Sequence, residues 1–303
     1  MGYLDDLNTV LGALTRTSEQ SDAVGFIERN RAIDELEVHL FELTHNLNHD
    51  DVANQRIAEF VARVVTLRDR LQRINNSMVQ RLRERIAAAS ISPRELLTTF
   101  RQYVSAARHD TRDDVKYDDL DALVAGILST DQVVDDGAVE LDPEMVPYQP
   151  TPARLILALL QEIRPTERDV FVDVGSGLGT VPALVSLLTG ARAVGIEWHP
   201  NYCAYAQYCV RRLNLSSVSF VQQDAREADF STGTIFYMFT PFKGTMLRDV
   251  LQRLDSEGRR RSIRLCIHGP LLREALREFS SFSIEKARSR DDFISVFQSS
   301  PVA

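Results

Sequence analysis

Apolar residues in the first third of the chain recur at three- and four-residue steps. Ile33, Leu36, Leu40, Leu43 and Leu47 form one stripe, and Ile57, Phe60, Val64, Leu67, Leu71, Ile74 and Met78 form a longer one. This is the period of a helix with one buried face. The second stretch can start on Asp50 or Asp51 as N-cap. A short polar turn separates the two, which predicts an antiparallel helical hairpin; a coiled-coil dimer is the competing use of the same stripes. Ser92-Pro93-Arg94-Glu95 reads as a capping box opening a third helix, whose apolar face is Leu96, Leu97, Phe100 and Val104. A shorter helix is expected around Leu120 to Leu128. Asp135, Asp136, Gly137 and Pro143 then break the period, so Ser129 to Pro147 reads as a linker.

After Pro152 the pattern changes to alternating helical and strand-like runs, the mark of a parallel α/β sheet. Strands are predicted at Val170–Val174, Ala193–Glu197, Val218–Val221, Ile235–Met238, Ile263–Ile267, Phe282–Glu285 and Phe293–Gln298. Helices are predicted at Ala153–Ile163, Asn201–Leu213, Gly244–Leu254 and Leu271–Phe279. The last two strands are joined too closely for a crossover helix, so they should pair as an antiparallel hairpin.

Composition adds little to this. With 303 residues, 44% hydrophobic and 26% charged, the chain has material for one or two globular domains. No apolar run approaches a membrane span, and the N-terminus carries Asp5 and Asp6 where a secretory leader carries base, so a cytoplasmic protein is expected. Cys203, Cys209 and Cys266 have no ligand or disulfide spacing and read as buried apolar residues. His45 and His49 stand four apart, but no third ligand accompanies them, and no metal is expected.

Charge changes the picture more. The net charge is -8, and about nine net negative charges fall in the first 140 residues. An acidic front half disfavours phosphate contacts and suits a basic protein partner. Arg259-Arg260-Arg261, a short run without aromatics, reads as an exposed turn.

The candidate chemistry centres on Val172-Asp173-Val174-Gly175-Ser176-Gly177-Leu178-Gly179-Thr180. A buried strand ends in an acid, and a glycine-rich turn opens a helix. Glycines allow the tight turn and the close approach of a ligand. A dinucleotide-binding oxidoreductase uses a similar turn, but Thr180 stands where that fingerprint expects Gly or Ala. Glu197 ends the next strand, at a distance suited to ribose hydroxyls. The strand after it runs into Gln222-Gln223-Asp224-Ala225, which places a third acid on the same sheet edge.

Over about its last 155 residues the chain resembles the class I S-adenosylmethionine-dependent methyltransferase family. The resemblance implies a Rossmann-like seven-stranded sheet with a terminal antiparallel hairpin, and the helical periods before it read as an all-α domain. The expected division is a helical domain over 1–130, a linker over 131–147 and a methyltransferase domain over 148–303. It implies S-adenosyl-L-methionine as cofactor. Asp173, Gly175, Ser176, Gly177 and Gly179 would hold its methionine portion, Glu197 its ribose, and Asp224 with Ala225 its adenine. Trp198 would lie against the adenine face. A non-catalytic protein that retains the fold is the alternative.

Phe239-Thr240-Pro241-Phe242 at the end of the fourth strand resembles a degraded Asn/Asp-Pro-Pro-Tyr/Phe motif of methyltransferases acting on planar or amide nitrogen. With Phe239 in the polar position, adenine or glutamine is a poor acceptor, and an aromatic wall is left near the transferred methyl. His268, ending the fifth strand, is a candidate base or acceptor contact. Tyr148-Gln149-Pro150-Thr151-Pro152 resembles an element of protein-lysine methyltransferases that include the Dot1-like branch. In those proteins it folds over the cofactor, which makes Tyr148 and Thr151 contacts. The expected catalytic set is Tyr148, Phe239, Thr240 and His268. The expected acceptor is a protein lysine, with a small molecule or nucleic acid as alternatives. The helical domain is expected to dock that acceptor or to form a homodimer.

Overall fold

A computed structural model describes residues 23–45, 51–106, 117–132, 134–135, 137, 139–269, 274–286 and 294–301. The chain divides into two compact units, residues 1–83 with 98–108, and residues 84–97 with 109–303.

The first unit contains α1 (Ala23–His45) and most of α2 (Asp51–Ala87). Their stripes face each other: Ala32, Leu36 and Leu43 cluster with Phe60, Val64, Leu67 and Leu71, flanked by Ile33, Leu40 and Ile57. Both apolar stripes are thus used within one chain. Arg29 near the start of α1 is fully buried and donates to Asn75 Oδ1 at 2.6 Å, near the end of α2, which fixes the pair as antiparallel. The acidic excess of the first 140 residues is not uniform. The outer face of α2 presents Arg70, Arg73, Ser77 and Arg81 around a shallow groove. Leu47, His49 and Asp50 lie outside the described residues, as does the side chain of His45. Helix α3 (Pro93–Ala106) starts as expected: Ser92 Oγ accepts from Glu95 N–H at 3.2 Å. Arg85 on the Glu95 carboxylate, helped by the Ser92 N–H, holds that group below its ordinary range.

In the second unit, α4 (Asp119–Leu128) opens with a true capping box between Asp118 and Asp121 that the sequence reading missed. It packs on α5 (Ala153–Ile163) and α6 (Thr180–Thr189). Asp121 Oδ1 also accepts from the Ala153 N–H at 2.7 Å, so one half-buried carboxylate ties together the starts of α4 and α5. Burial pushes that carboxyl up to about 6.

The sheet comprises β1 (Val170–Val174), β2 (Arg192–Glu197), β3 (Val218–Gln222), β4 (Ile235–Phe239), β5 (Arg264–His268), β6 (Phe282–Lys286) and β7 (Ile294–Ser299), in the order β3-β2-β1-β4-β5-β7-β6. The pairs from β3 to β5 are parallel, and β7 runs antiparallel to both β5 and β6. This is the Rossmann-like seven-stranded sheet with a terminal antiparallel hairpin. Helix α6 is buried along nearly its whole length against the sheet. Helices α7 (Pro200–Arg212) and α8 (Gly244–Arg260) complete the layers. The main core joins Val172, Phe236 and Leu265 of the sheet to Met246, Val250 and Leu254 of α8.

The sequence ended α8 at Leu254, but the helix continues to Arg260 because its arginines are engaged, not loose. Arg259 pairs with Asp255 at 2.8 Å and Arg261 with Glu257 at 3.0 Å, one helical turn back. Arg261 also donates to the Gly233 and Phe230 carbonyls. The three cysteines are buried, and none forms a disulfide among the described residues. Among the described residues no helix is long and apolar enough to cross a membrane.

Candidate active site

Parallel strands deliver side chains to one edge, and the order reverses between β1 and β4, where a crevice must open. A cavity of about 520 Å³ lies there, within the range of cofactor sites. Its wall includes Tyr148, Thr151, Asp173, Gly175, Ser176, Gly177, Glu197, Trp198, Asp224, Ala225, Phe239, Thr240 and His268. Every predicted site residue but one therefore meets at a single cavity.

The exception is Gly179. It is the N-cap of α6 with φ 81°, and a Cβ there would strike Phe220 and Ala206. It does not line the cavity, and its missing side chain allows close packing of helix on strand. Phe220 also fills the space left by Gly195.

Asp173 ends β1 almost completely buried, 3% exposed. Desolvation, with the neighbouring Glu197 charge adding to it, pushes its carboxyl well above the usual range. Glu197 is also raised by burial, against the bonds it accepts. Those bonds come from the Gly177 N–H to Oε2 at 2.7 Å and the His199 N–H to Oε1 at 2.8 Å. Glu197 thus clasps the glycine loop to the start of α7 and also lines the cavity. Asp224 differs. Arg226 grips both carboxylate oxygens, at 2.7 to 3.1 Å, and holds the group below its ordinary range. That grip fixes its orientation on the cavity wall and leaves it fewer lone pairs for a ligand.

Asp173, Glu197 and Asp224 are the only charged carboxylate side chains in this wall, and no Lys or Arg joins them among the described residues. Such a wall favours a cationic ligand and opposes a pyrophosphate. An ammonium beside Asp173 would compensate its buried charge, and vicinal hydroxyls beside Glu197 would use its free lone pairs. Gly175 and Gly177 keep the loop free of side chains, at φ 84° and 53°. The cradle therefore fits S-adenosylmethionine residue by residue.

The opposite wall is neutral. Phe239 and His268 are register partners at the ends of β4 and β5, and their rings stack at 4.3 Å. Thr240 adopts a left-handed φ of 47° and is held by its Oγ1 donating to the His268 carbonyl at 3.0 Å. Strain of this kind, on the order of 1–3 kcal/mol, is typical of a shaped functional edge. Gly269, φ 104°, leaves room for that Thr240 hydroxyl. Pro270 lies outside the described residues.

The segment read as the end of a linker forms the roof. Residues 139 and 141–151 line the cavity, apart from 142–144. Tyr148 lies over Gly177, where an added Cβ would run into its ring, and it packs on Tyr202 at 5.5 Å. Although Tyr148 is 37% exposed, its hydroxyl end faces Leu178 N–H and Thr180, and burial raises its pKa. Thr151 is buried, with its Oγ1 3.4 Å from the Tyr237 hydroxyl. The sequence reading missed Tyr237, the β4 register partner of Asp173; a tyrosine inside a buried apolar strand was its only signal. It also missed Glu144, which has no local signal because its partners lie 101 and 102 residues away.

Because Glu197 both braces the loop and lines the cavity, Glu197→Ala should weaken S-adenosylhomocysteine binding by more than about tenfold, since charge-assisted bonds contribute roughly 1.5–3 kcal/mol each. Glu197→Gln, which keeps one carbonyl acceptor, should lose less. Calorimetric titration checks this, and equal affinity of all three proteins would remove Glu197 from the site.

Residues 146–236 match the family model described as "Histone methylation protein DOT1". This span begins in the roof and ends in β4. No curated protein matches the chain. Among solved structures, the chain is similar to an RNA methyltransferase from Salinibacter ruber in complex with S-adenosyl-L-homocysteine, at 22% identity, covering 50% of this chain and 92% of that one with a TM-score of 0.41. It is also similar to a ribosomal protein L11 methylase from Lactobacillus delbrueckii subsp. bulgaricus, at 14% identity, covering 53% and 83% with a TM-score of 0.39. A third is magnesium protoporphyrin IX methyltransferase from Synechocystis PCC 6803 with bound SAM, at 13% identity, covering 50% and 77% with a TM-score of 0.37. These proteins differ in acceptor and carry no argument about it.

Proposed function

We propose that this chain, an S-adenosylmethionine-dependent methyltransferase of the class I fold, methylates a lysine amine of a protein. The observation that carries the reading is the split of the cavity wall. All its acids stand on the β1–β3 side, and the β4–β5 side is Phe239, Thr240, Pro241, Phe242 and His268. An aliphatic stem fits an aromatic, neutral edge, whereas a guanidinium or an amide would leave polar groups unpaired there. The match of residues 146–236 to the histone-methylation family supports the same acceptor class.

In this reading Asp173 and the Gly175–Gly177 turn hold the methionine portion, Glu197 the ribose, and Asp224, Ala225 and Trp198 the adenine end. When bound, S-adenosylmethionine supplies an electrophilic methyl group on a cationic sulfur. Tyr148 and Thr151 roof that group and exclude water. The amine must be uncharged to attack, and desolvation against Phe239 and Phe242 favours loss of its proton. His268 is the titratable side chain at this edge among the described lining residues. We assign it as the acceptor contact that receives or relays that proton. Positioning does most of the work, since an in-line displacement needs aligned partners more than covalent help. The helical region of the chain is the proposed docking element for the protein acceptor.

Incubation with methyl-labelled S-adenosylmethionine and cell lysate tests the acceptor. Label should appear in protein, and peptide mapping should place it on lysine. Label confined to RNA or small molecules, or found on protein arginine or glutamine, overturns the lysine reading.

A further inference from the structure

Glu144 lies in the roof segment but does not line the cavity. Its Oε1 accepts from the Thr245 N–H at 2.9 Å, and its Oε2 accepts from the Thr245 hydroxyl and the Met246 N–H, both at 2.7 Å. These are donors of the first turn of α8, whose own N-cap residue, Lys243, makes no side-chain cap. The backbone joins too. Lys243 N–H donates to the Glu144 carbonyl at 2.8 Å, Val146 N–H to the Pro241 carbonyl at 3.0 Å, and Met145 bridges Phe242. Gly244, at φ 63°, makes this possible, since a Cβ there would collide with the Glu144 carboxylate.

The far end of the roof is held separately. Tyr117 donates to the Pro150 carbonyl at 2.8 Å, and Asp121 accepts from Ala153 N–H. Between the anchors, Pro147 and Pro150 lack backbone donors, so the backbone of the span that carries Tyr148 over Gly177 has fewer hydrogen bonds of its own and leans on its two ends. The entry end is held by one half-buried acid and a few backbone bonds, and it is joined to the same Pro241–Lys243 loop that continues from Phe239 and Thr240.

We infer that Glu144 is a positioning residue, a latch that keeps the roof closed and sets how long the cofactor stays bound. It touches no cofactor atom in this role. It acts by fixing Met145 and Val146 on the post-β4 loop, and so Tyr148 on the glycine loop. The hydrogen bonds from Met246 and Thr245 hold its carboxyl below the ordinary range, as expected for an ionised cap.

The chain has one tryptophan, Trp198, and it lies on the cavity wall, so its fluorescence reports binding in the full-length protein. In stopped-flow experiments with S-adenosylhomocysteine, Glu144→Ala should dissociate at least about tenfold faster while its association rate stays within about threefold, because a lost closing contact acts on the off-rate. Glu144→Gln, which keeps the shape and one acceptor oxygen, should recover most of the difference. Thr245→Val removes one donor and should speed dissociation by a smaller factor, which keeps the test open should Glu144→Ala fold poorly. Unchanged dissociation in these variants, with or without a lower thermal midpoint, would reduce Glu144 to a cap of α8 and overturn the latch. No acceptor is involved, so failure here leaves the lysine reading intact, and failure of that reading leaves the latch intact.

Discussion

Asp173→Asn is expected to reduce S-adenosylhomocysteine affinity by about 100-fold or more and, in the same protein, to raise the thermal midpoint of the ligand-free state. The first effect follows from removing the buried carboxyl that, in the proposed reading, meets the ammonium of the cofactor. Truncating such a pair costs about 3 kcal/mol, and each 1.4 kcal/mol is tenfold. The second follows from desolvation. Asp173 is buried beside Glu197, and its carboxyl lies well above the ordinary range. Between the ordinary value and the raised one, the folded protein keeps a proton that the unfolded chain gives up. Ligand-free stability therefore falls as pH rises through that window. Asparagine has no such charge and removes that part of the pH dependence. The cationic ligand favours the ionised carboxyl, so wild-type affinity should fall as pH is lowered, with a proton released on binding. Calorimetry in buffers of different ionisation enthalpy, together with thermal unfolding across pH, measures all of these. A ligand-free Asp173→Asn protein no more stable than wild type at neutral pH would refute the assignment of Asp173 as a stored unfavourable charge.

Gly177→Val should abolish cofactor binding and also lower the thermal midpoint. Sequence alone gives the first part, because a branched side chain would enter the path of the methionine portion. The structure adds the second. The space a Cβ would occupy is taken by the Tyr148 ring, so the roof must lift even without ligand. The left-handed φ of 53° adds about 1–2 kcal/mol for a side chain with a Cβ. A double-mutant cycle separates the two terms. Gly177→Ala with Tyr148→Ala should recover part of the stability lost by Gly177→Ala alone, since the collision is gone and only the backbone cost remains. Strict additivity of the two changes would show that Tyr148 does not lie on the loop.

The local signals in the sequence were those whose cause is local. Val170–Val174 is strand because five consecutive residues suit a pleated, buried run, and the turn after Asp173 is glycine-rich because its φ values are positive. Asp173, Glu197 and Asp224 were legible because parallel strands of similar length end at one edge, so acids at strand ends converge whatever the loops do. Glycines were harder to separate. Gly177 and Gly179 look alike in the motif, yet one faces a cavity and the other packs on Phe220, a residue of a strand two positions away in the sheet. Helix α8 was cut short because Arg259 and Arg261 look like the end of a helix until Asp255 and Glu257 are seen one turn back.

By itself the sequence determined the alternation of strand and helix, the glycine turn, the row of strand-end acids and the aromatic residue in place of a polar one at Phe239. Each is set by the spacing of neighbours along the chain, through backbone periodicity and steric limits that act within a few residues. Only the tertiary structure decided that the stretch before Tyr148 is a roof and not a tether. Only it decided that Asp121 ties α4 to α5, and that Glu144 caps a helix 101 residues downstream. A hydrogen bond requires its two atoms within about 3 Å, and over such separations nothing in residue order fixes that distance. The fold brings them together, because burying the apolar faces of the sheet and its helices leaves the chain one path from α4 into α5, and that path crosses the mouth of the cavity.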